Sequence, residues 1–450
     1  MSDMKELAQL MRQLEEQLVV CNRCGLCQAV CPLYTETGRE ADVARGKLAL
    51  LDGLFKQQFK EADGVLERLN RCLLCGSCQA NCPSGVNVLE IFMKARMILT
   101  EFTGLSPAKK LIFRGILAHP GIFDHLAALG SRFQALGIKS ANPSMGTACT
   151  RVITPMLGDR HFMPLAAVPF HKQVPALDTP KGKSGLRVAL YVGCLGDKIY
   201  PNLPQATIDV LNHHGVGIYM PENQACCGIP AVASGDRKTF EHLVRHNVGL
   251  FDPTDFDYLV TACATCTSTI KKVWPALISK DSDIWSKVAQ ISEKTMDINQ
   301  FLVSVVGLQP PGKRNGNPIV PVTYHDPCHL KKSLNVATEP RAVIEACNGY
   351  RLTEMTDADA CCGMGGSFNL QYYETSCKIG HRKLDNIIAT GCSIVATGCP
   401  ACMMQITDMV SHSGKNIAVK HPIELYAETL KSNAGQIKTD KSQEHFRSGL

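Results

Sequence analysis

The sequence predicts an α + α/β protein: an all-helical N-terminal module, then a duplicated cysteine-rich α/β domain with parallel sheets. Three observations predict it. Near the N-terminus, Cys residues fall in two copies of one closely spaced pattern, with helical periodicity between them. Further Cys repeat, group by group, across the second half. There, short runs of β-formers alternate with helical stretches, which is the pattern of parallel strands joined by crossover helices.

The N-terminal pattern is C-x2-C-x2-C-x3-C-P. It occurs as Cys21, Cys24, Cys27, Cys31, Pro32 and again as Cys72, Cys75, Cys78, Cys82, Pro83. This is the spacing of a bacterial ferredoxin with two [4Fe-4S] clusters, in which the fourth Cys of each run binds the other cluster. The expected sets are Cys21, Cys24, Cys27 and Cys82 on one cluster, and Cys31, Cys72, Cys75 and Cys78 on the other. Zinc is the alternative, since Cys-x2-Cys also suits it; two full copies of the longer pattern weigh against it. Pro32 and Pro83 are expected to end the cluster loops. Residues 4–19, 41–58 and 65–73 carry apolar side chains at helical spacing. Arg45 and Lys47 either face an anionic cluster or belong to a solvated helix face.

Composition bounds the rest. A chain of 450 residues with 45% hydrophobic content implies two to three globular domains. Its 22 Cys are many for this length, and the start, Met1-Ser2-Asp3-Met4, has no apolar leader. The thiols therefore read as metal ligands in a reducing cytoplasm rather than disulfides. A net charge of +6 without a basic block argues against nucleic acid. No apolar run is long enough to span a membrane. Residues 111–137 read as amphipathic helices broken near Pro120. Such helices suit the protein's own domains, a partner chain, or peripheral contact with the inner face of the cell membrane.

Residues 141–185 are rich in Pro and read as an irregular linker. Beyond it lies the repeat. Cys194, the pair Cys226-Cys227-Gly228 and Cys263-x2-Cys266 are matched by Cys328, Cys361-Cys362-Gly363 and Cys399-x2-Cys402, at a near-constant offset. Runs 186–192, 257–260, 319–324 and 393–396 are buried-type strands, each leading into a Cys. Ligands of parallel sheets sit beyond the carboxyl ends of the strands, so each set of five thiols should converge at one rim. Gly228 and Gly363 are expected to let the backbone pass close to a bulky ligand. Five thiolates exceed a zinc tetrahedron or an ordinary cubane by one, which leaves either a spare Cys or a larger cluster. The predicted organisation is a 1–100 ferredoxin-like module, a 101–185 helical and Pro-rich linker, repeats at 186–310 and 318–430, and a polar tail at 431–450.

With these motifs, and with Tyr324-His325-Asp326-Pro327-Cys328-His329-Leu330, Cys361-Cys362-Gly363-Met364-Gly365-Gly366 and His421-Pro422-Ile423-Glu424-Leu425, the chain resembles the iron-sulfur subunits of FAD-linked glycolate and D-lactate dehydrogenases. It also resembles the cysteine-rich subunit of heterodisulfide reductase. The resemblance spans residues 15–95 and 186–428. It implies non-cubane [4Fe-4S] clusters, one or two, on Cys194, Cys226, Cys227, Cys263 and Cys266 and on Cys328, Cys361, Cys362, Cys399 and Cys402. It implies electron transfer from an FAD-binding 2-hydroxy acid dehydrogenase subunit to a quinone or other carrier. Many glycolate oxidase subunits lack some of these Cys, whereas this chain keeps all ten, so a thiol/disulfide reductase with its active site on a non-cubane cluster stays open.

No dinucleotide fingerprint, P-loop or nucleophile elbow occurs, so no hydride acceptor is evident and no catalytic residue is assigned. A flavin on another chain would have to split the electron pair. His325 and His329 flank Cys328 as candidate donors to cluster sulfur, ordinary strand-end histidines being the alternative. Lys331 and Lys332 would soften an anionic cluster, and His421 would screen the second rim. Cys149, Cys347, Cys377 and Cys392 read as small buried hydrophobes.

Overall fold

The computed structural model describes residues 11–12, 14–151, 158–309 and 319–432. Before Ile138 the described residues form helices and no strand. Three carry the N-terminal core: Ala44–Phe55, Ala62–Asn70 and Val88–Thr103. Their apolar residues recur every three or four positions, and Leu48, Leu51, Val65, Leu69, Ile91, Ala95 and Ile98 meet in one cluster. The helix expected at 4–19 is seen at residues 14–18; residues 1–10 lie outside the described ones.

The chain next forms a helix at Pro107–Lys110 that runs into a wider π turn at Leu111–Leu117, then the helix Pro120–Gly137. The break falls at Pro120, which takes the first helical position, where its missing N–H costs nothing. One face of the second helix stays exposed: Ile122, Leu126, Leu129, Phe133 and Leu136. No helix among the described residues is long and apolar enough to cross a membrane.

A hairpin of β1 (Ile138–Asn142) and β2 (Thr147–Thr150) follows, then β3 (Leu177–Asp178). The segment read as an irregular linker is thus a strap. β3 joins the first sheet as an antiparallel edge. Arg114 pairs with Asp236 at 3.1 Å, the His161 N–H donates to Asp408 at 2.8 Å, and Thr147 and Ser411 hydroxyls bond at 2.6 Å. Short backbone pairings and scattered polar bonds rather than an apolar period hold it, so no periodicity announces it.

The first sheet contains β4 (Arg187–Leu190), β5 (Gly217–Met220), β6 (Tyr258–Thr261) and β7 (Thr295–Asp297), in the order β3-β5-β4-β6-β7. The second contains β8 (Val320–His325), β9 (Tyr350–Leu352), β10 (Ile394–Thr397) and β11 (Ala418–Lys420), in the order β11-β10-β8-β9. All pairs except β3–β5 are parallel. Without β3, the two sheets share one strand order. The fold is therefore α + α/β, with the second unit a copy of the first. Residues 433–450 lie outside the described ones; Lys431 and Ser432, at the start of the expected tail, are still helical.

Candidate metal centres

Two hollows open in the N-terminal module. One is lined by Cys21, Cys24, Cys27 and Cys82, with Cys78 on its wall. The other is lined by Cys31, Cys72, Cys75 and Cys78. The fourth Cys of each motif thus lies in the hollow of the other motif. Gly25 and Gly76 have φ of +88° and +73°, a left-handed turn that folds each C-x2-C-x2-C loop around its hollow. Pro32 follows Cys31 at the end of the first loop and opens the helix Pro32–Thr37.

Cations face both hollows. Arg45 lines the first and donates to the Arg23 carbonyl at 3.2 Å, where its charge acts on Cys27. Lys47, fully buried, lines the second and donates to the Asp42 and Arg71 carbonyls. Buried Arg96 donates to the carbonyls of Leu69 (2.5 Å), Cys72 (3.0 Å) and Ala233 (2.5 Å), tying the module to the first repeat. Burial pushes the Cys31 thiol up to about 11, so a metal bound there would displace a proton.

In each repeat, the strand ends deliver the thiols. Cys194 begins a helix after β4, Cys263 follows β6, and Cys226-Cys227 follow β5. The thiols lie beside one another in sequence: Cys194 by Cys226, Cys226 by Cys227, Cys227 by Cys266 and Cys266 by Cys263. The second repeat gives Cys361 to Cys362, Cys362 to Cys402 and Cys402 to Cys399, with Cys328 beside Cys361. Two further contacts join the groups. Cys263 meets Cys399 across the repeats, and Cys361 meets Cys75 of the N-terminal module. Neighbouring thiols therefore form a series from Cys75 to Cys194.

The paired-Cys turns are held from behind. Tyr191 OH donates to the Ala225 carbonyl (2.6 Å), Asn247 to Cys226 (3.1 Å) and Trp274 to Cys227 (2.9 Å). Gly228 and Gly363 have φ of +92° and +94°. A Cβ there would lie 2.8 Å from Phe240 Cδ2 and 2.5 Å from the Ser376 carbonyl oxygen. The left-handed backbone and the protein's own packing both require glycine at these positions.

His325 is buried, both ring nitrogens lack a partner, and it lies within 4.8 Å of the Cys362 and Cys402 sulfurs. Burial pushes it down to about 3, so the ring is neutral and keeps one N–H to donate. His329 turns elsewhere: its Nδ1 meets Thr265 Oγ1 at 3.0 Å, and Thr265 Oγ1 lies 3.3 Å from Cys399 Sγ. His421 is fully buried near Cys399, and its Nε2 lacks a partner. Lys332 donates to Ser77 Oγ (2.7 Å) and the Asp359 carbonyl (2.8 Å), across the junction of Cys75 and Cys361. Lys331 pairs with Asp326 at 3.5 Å.

Sequence reasoning misses Arg96 and Lys383. Buried Lys383 donates to the Asp357 (2.6 Å) and Ala358 (3.2 Å) carbonyls beside Cys362 and Cys361, and burial pushes it down to about 8. A signal exists for each. Lys383 falls on the apolar stripe of its helix, between Ile379 and Ile387, and Arg96 interrupts the apolar run Ile91–Leu99. Cys149, Cys347 and Cys392 are buried and Cys377 half-buried.

These donor sets contain only sulfur at the two hollows, which fits iron-sulfur clusters. The 4Fe-4S dicluster domain family matches residues 17–86, and the cysteine-rich domain family (CCG) matches 188–271 and 322–407. The probable glycolate oxidase iron-sulfur subunit of Bacillus subtilis is 29% identical over 434 residues, covering 92% of this chain and 95% of that protein. Lactate utilization protein A of Shouchella clausii is 30% identical over 236 residues, covering 52% of this chain and 96% of that protein. The chain belongs to the family of these iron-sulfur subunits. An uncharacterized iron-sulfur protein of Methanococcus maripaludis is 27% identical, covering 90% of this chain and 70% of that protein. As a member of the glycolate oxidase iron-sulfur subunit family, the chain holds its thiol groups in one connected series.

Proposed function

We propose that this chain is the electron-transfer subunit of an FAD-dependent 2-hydroxy acid dehydrogenase, for lactate or glycolate. It passes electrons from a partner flavoprotein to a quinone or another carrier. The observation that carries this reading is the series of neighbouring thiols that leads from Cys75 to Cys194. Clusters bound at these thiols supply one-electron chemistry, which a flavin can feed after taking a hydride.

The chain's own residues do the rest. Cys21, Cys24, Cys27 and Cys82 would hold one cubane, and Cys31, Cys72, Cys75 and Cys78 the other. Cys194, Cys226, Cys227, Cys263 and Cys266 would hold one non-cubane cluster, and Cys328, Cys361, Cys362, Cys399 and Cys402 a second. Arg45, Lys47, Lys332 and Lys383 offset the negative charge of these groups. Eight of the ten repeat thiols are buried, which excludes water from them, while Cys194 and Cys328 are half-buried. Cys24, exposed at the opposite end of the series from Cys194, suits contact with the flavoprotein. The domain division remains as read from the sequence, with 101–185 acting as a strap.

The retention of all ten repeat Cys, and the facing of Cys263 and Cys399, favour a second reading: a thiol/disulfide reductase acting at a repeat rim. One experiment separates the two. The anaerobically purified complex with its flavoprotein is given lactate or glycolate and a redox dye. Dye reduction that requires this chain supports the dehydrogenase reading. Its absence, with reduction of small disulfides by the chain, supports the second.

A further inference from the structure

A cleft reaches the far end of the sulfur series, where Cys194 and Cys226 form part of its wall. Cys194 is the one thiol of the first repeat set that is not buried. The strap builds the opposite wall with Leu117, Phe123, Phe170 and Val174. A polar group stands among these apolar side chains. His171 Nδ1 lies 2.9 Å from Asp197 Oδ1 and 3.2 Å from Lys198 Nζ, and Lys198 Nζ lies 2.5 Å from Asp124 Oδ1. Asp124, His171 and Asp197 have the spacing of a metal site, but the Lys198 ammonium already occupies the place of a cation among them.

We propose that this cleft binds a lipophilic quinone, the acceptor at the outlet of the chain. This deepens the electron-transfer reading and rests on it. Three features select the class. The walls are apolar and aromatic, which suits a flat ring. Asp124, Asp197 and Glu222 outnumber Lys198 at the lining, which disfavours an anionic hydroxy acid and admits a neutral ligand. The exposed stripe Ile122, Leu126, Leu129, Phe133 and Leu136 runs along the helix that contributes Phe123 and Asp124, giving an apolar tail a surface to follow.

The chemistry balances. The 2-hydroxy acid is oxidised to its 2-keto acid on the flavoprotein and gives up two electrons and two protons. The quinone takes up two of each and leaves as quinol. His171, whose Nε2 lies 3.8 Å from Asp124 Oδ2, stands where one carbonyl oxygen can receive a hydrogen bond and then a proton; Lys198, held by Asp124, Asp197 and His171, fixes the His171 ring, and solvent supplies the second proton.

The test uses the full, cluster-loaded chain and an azido-naphthoquinone. Saturable photolabelling of peptides spanning 117–124, 170–175 and 220–226, displaced by unlabelled naphthoquinone, is expected. Leu117→Trp and Val174→Trp, each filling the cleft, should weaken binding about tenfold or more at unchanged iron content. Labelling elsewhere, displacement by a small disulfide but not by quinone, or unchanged affinity in both variants with wild-type iron would overturn the assignment. Lactate- or glycolate-driven dye reduction by the wild-type complex separates the two levels. Dye reduction without quinone binding removes the cleft alone; no dye reduction removes the parent reading.

Discussion

The Cys75 thiol of the N-terminal module lies beside the Cys361 thiol of the second repeat. These residues belong to different units and are far apart in sequence, yet they make one continuous sulfur path. Lys332 sits at the same junction and brings a positive charge to Cys75. Lys332→Gln removes that charge, so reduction of the cluster proposed at Cys75 becomes harder. Its midpoint potential should fall by on the order of 50 mV, read by anaerobic redox titration. An unchanged potential would place the charge too far from the cluster to matter.

The union of the module with the first repeat depends on close backbone approach at Gly235. Its φ is +86°, and an added Cβ would lie 2.6 Å from the Arg96 carbonyl oxygen and against the Thr100 side chain. Gly235→Ala should therefore cost about 2 kcal/mol or more. A lowered thermal midpoint of the cluster-loaded protein checks it, and a midpoint equal to the wild type would contradict it.

His325 gives a spectroscopic prediction. Its partnerless ring lies within reach of Cys362 and Cys402. A donor to cluster sulfur raises the potential, so His325→Leu should lower that of the second repeat centre while iron content holds. Nitrogen hyperfine coupling to that centre should vanish in the same variant. Coupling that persists would mean that another nitrogen provides it.

His412 links stability to pH away from the thiols. Its hydrogen bond to Asp408 pushes it up to about 9, against an ordinary value of 6.5. A raised histidine stabilises fully below its unfolded value. That contribution disappears as pH rises from about 6.5 through about 9. His412→Gln should flatten the fall of the thermal midpoint across that window. An equally steep fall in the variant would assign the pH dependence to other groups.

Much of this architecture is legible in the residues. The spacing of Cys21 to Cys31 and Cys72 to Cys82 announces the helical cluster module, and the offset between Cys194 and Cys328 announces the duplication. Strands leading into Cys263 and Cys399 announce where the rims lie. The meeting of Cys263 with Cys399 is not legible, because it depends on how two sheets pack and no local pattern encodes that. The strap reads as irregular because short strand pairings and the scattered polar contacts of Arg114, His161 and Thr147 hold it rather than an apolar stripe. Arg96 and Lys383 escape sequence reasoning because a charge inside an apolar run finds its carbonyl partners only in three dimensions.

The central claim is that electrons reach the repeat centres through the N-terminal module. Rapid mixing of the reduced flavoprotein with the wild-type chain and with Cys78→Ser, followed by freeze-quench spectroscopy, tests it most directly. The account predicts reduced repeat centres in the wild type and oxidised ones in the variant, with residues 186–428 still folded. Repeat centres reduced at the wild-type rate in Cys78→Ser would contradict it.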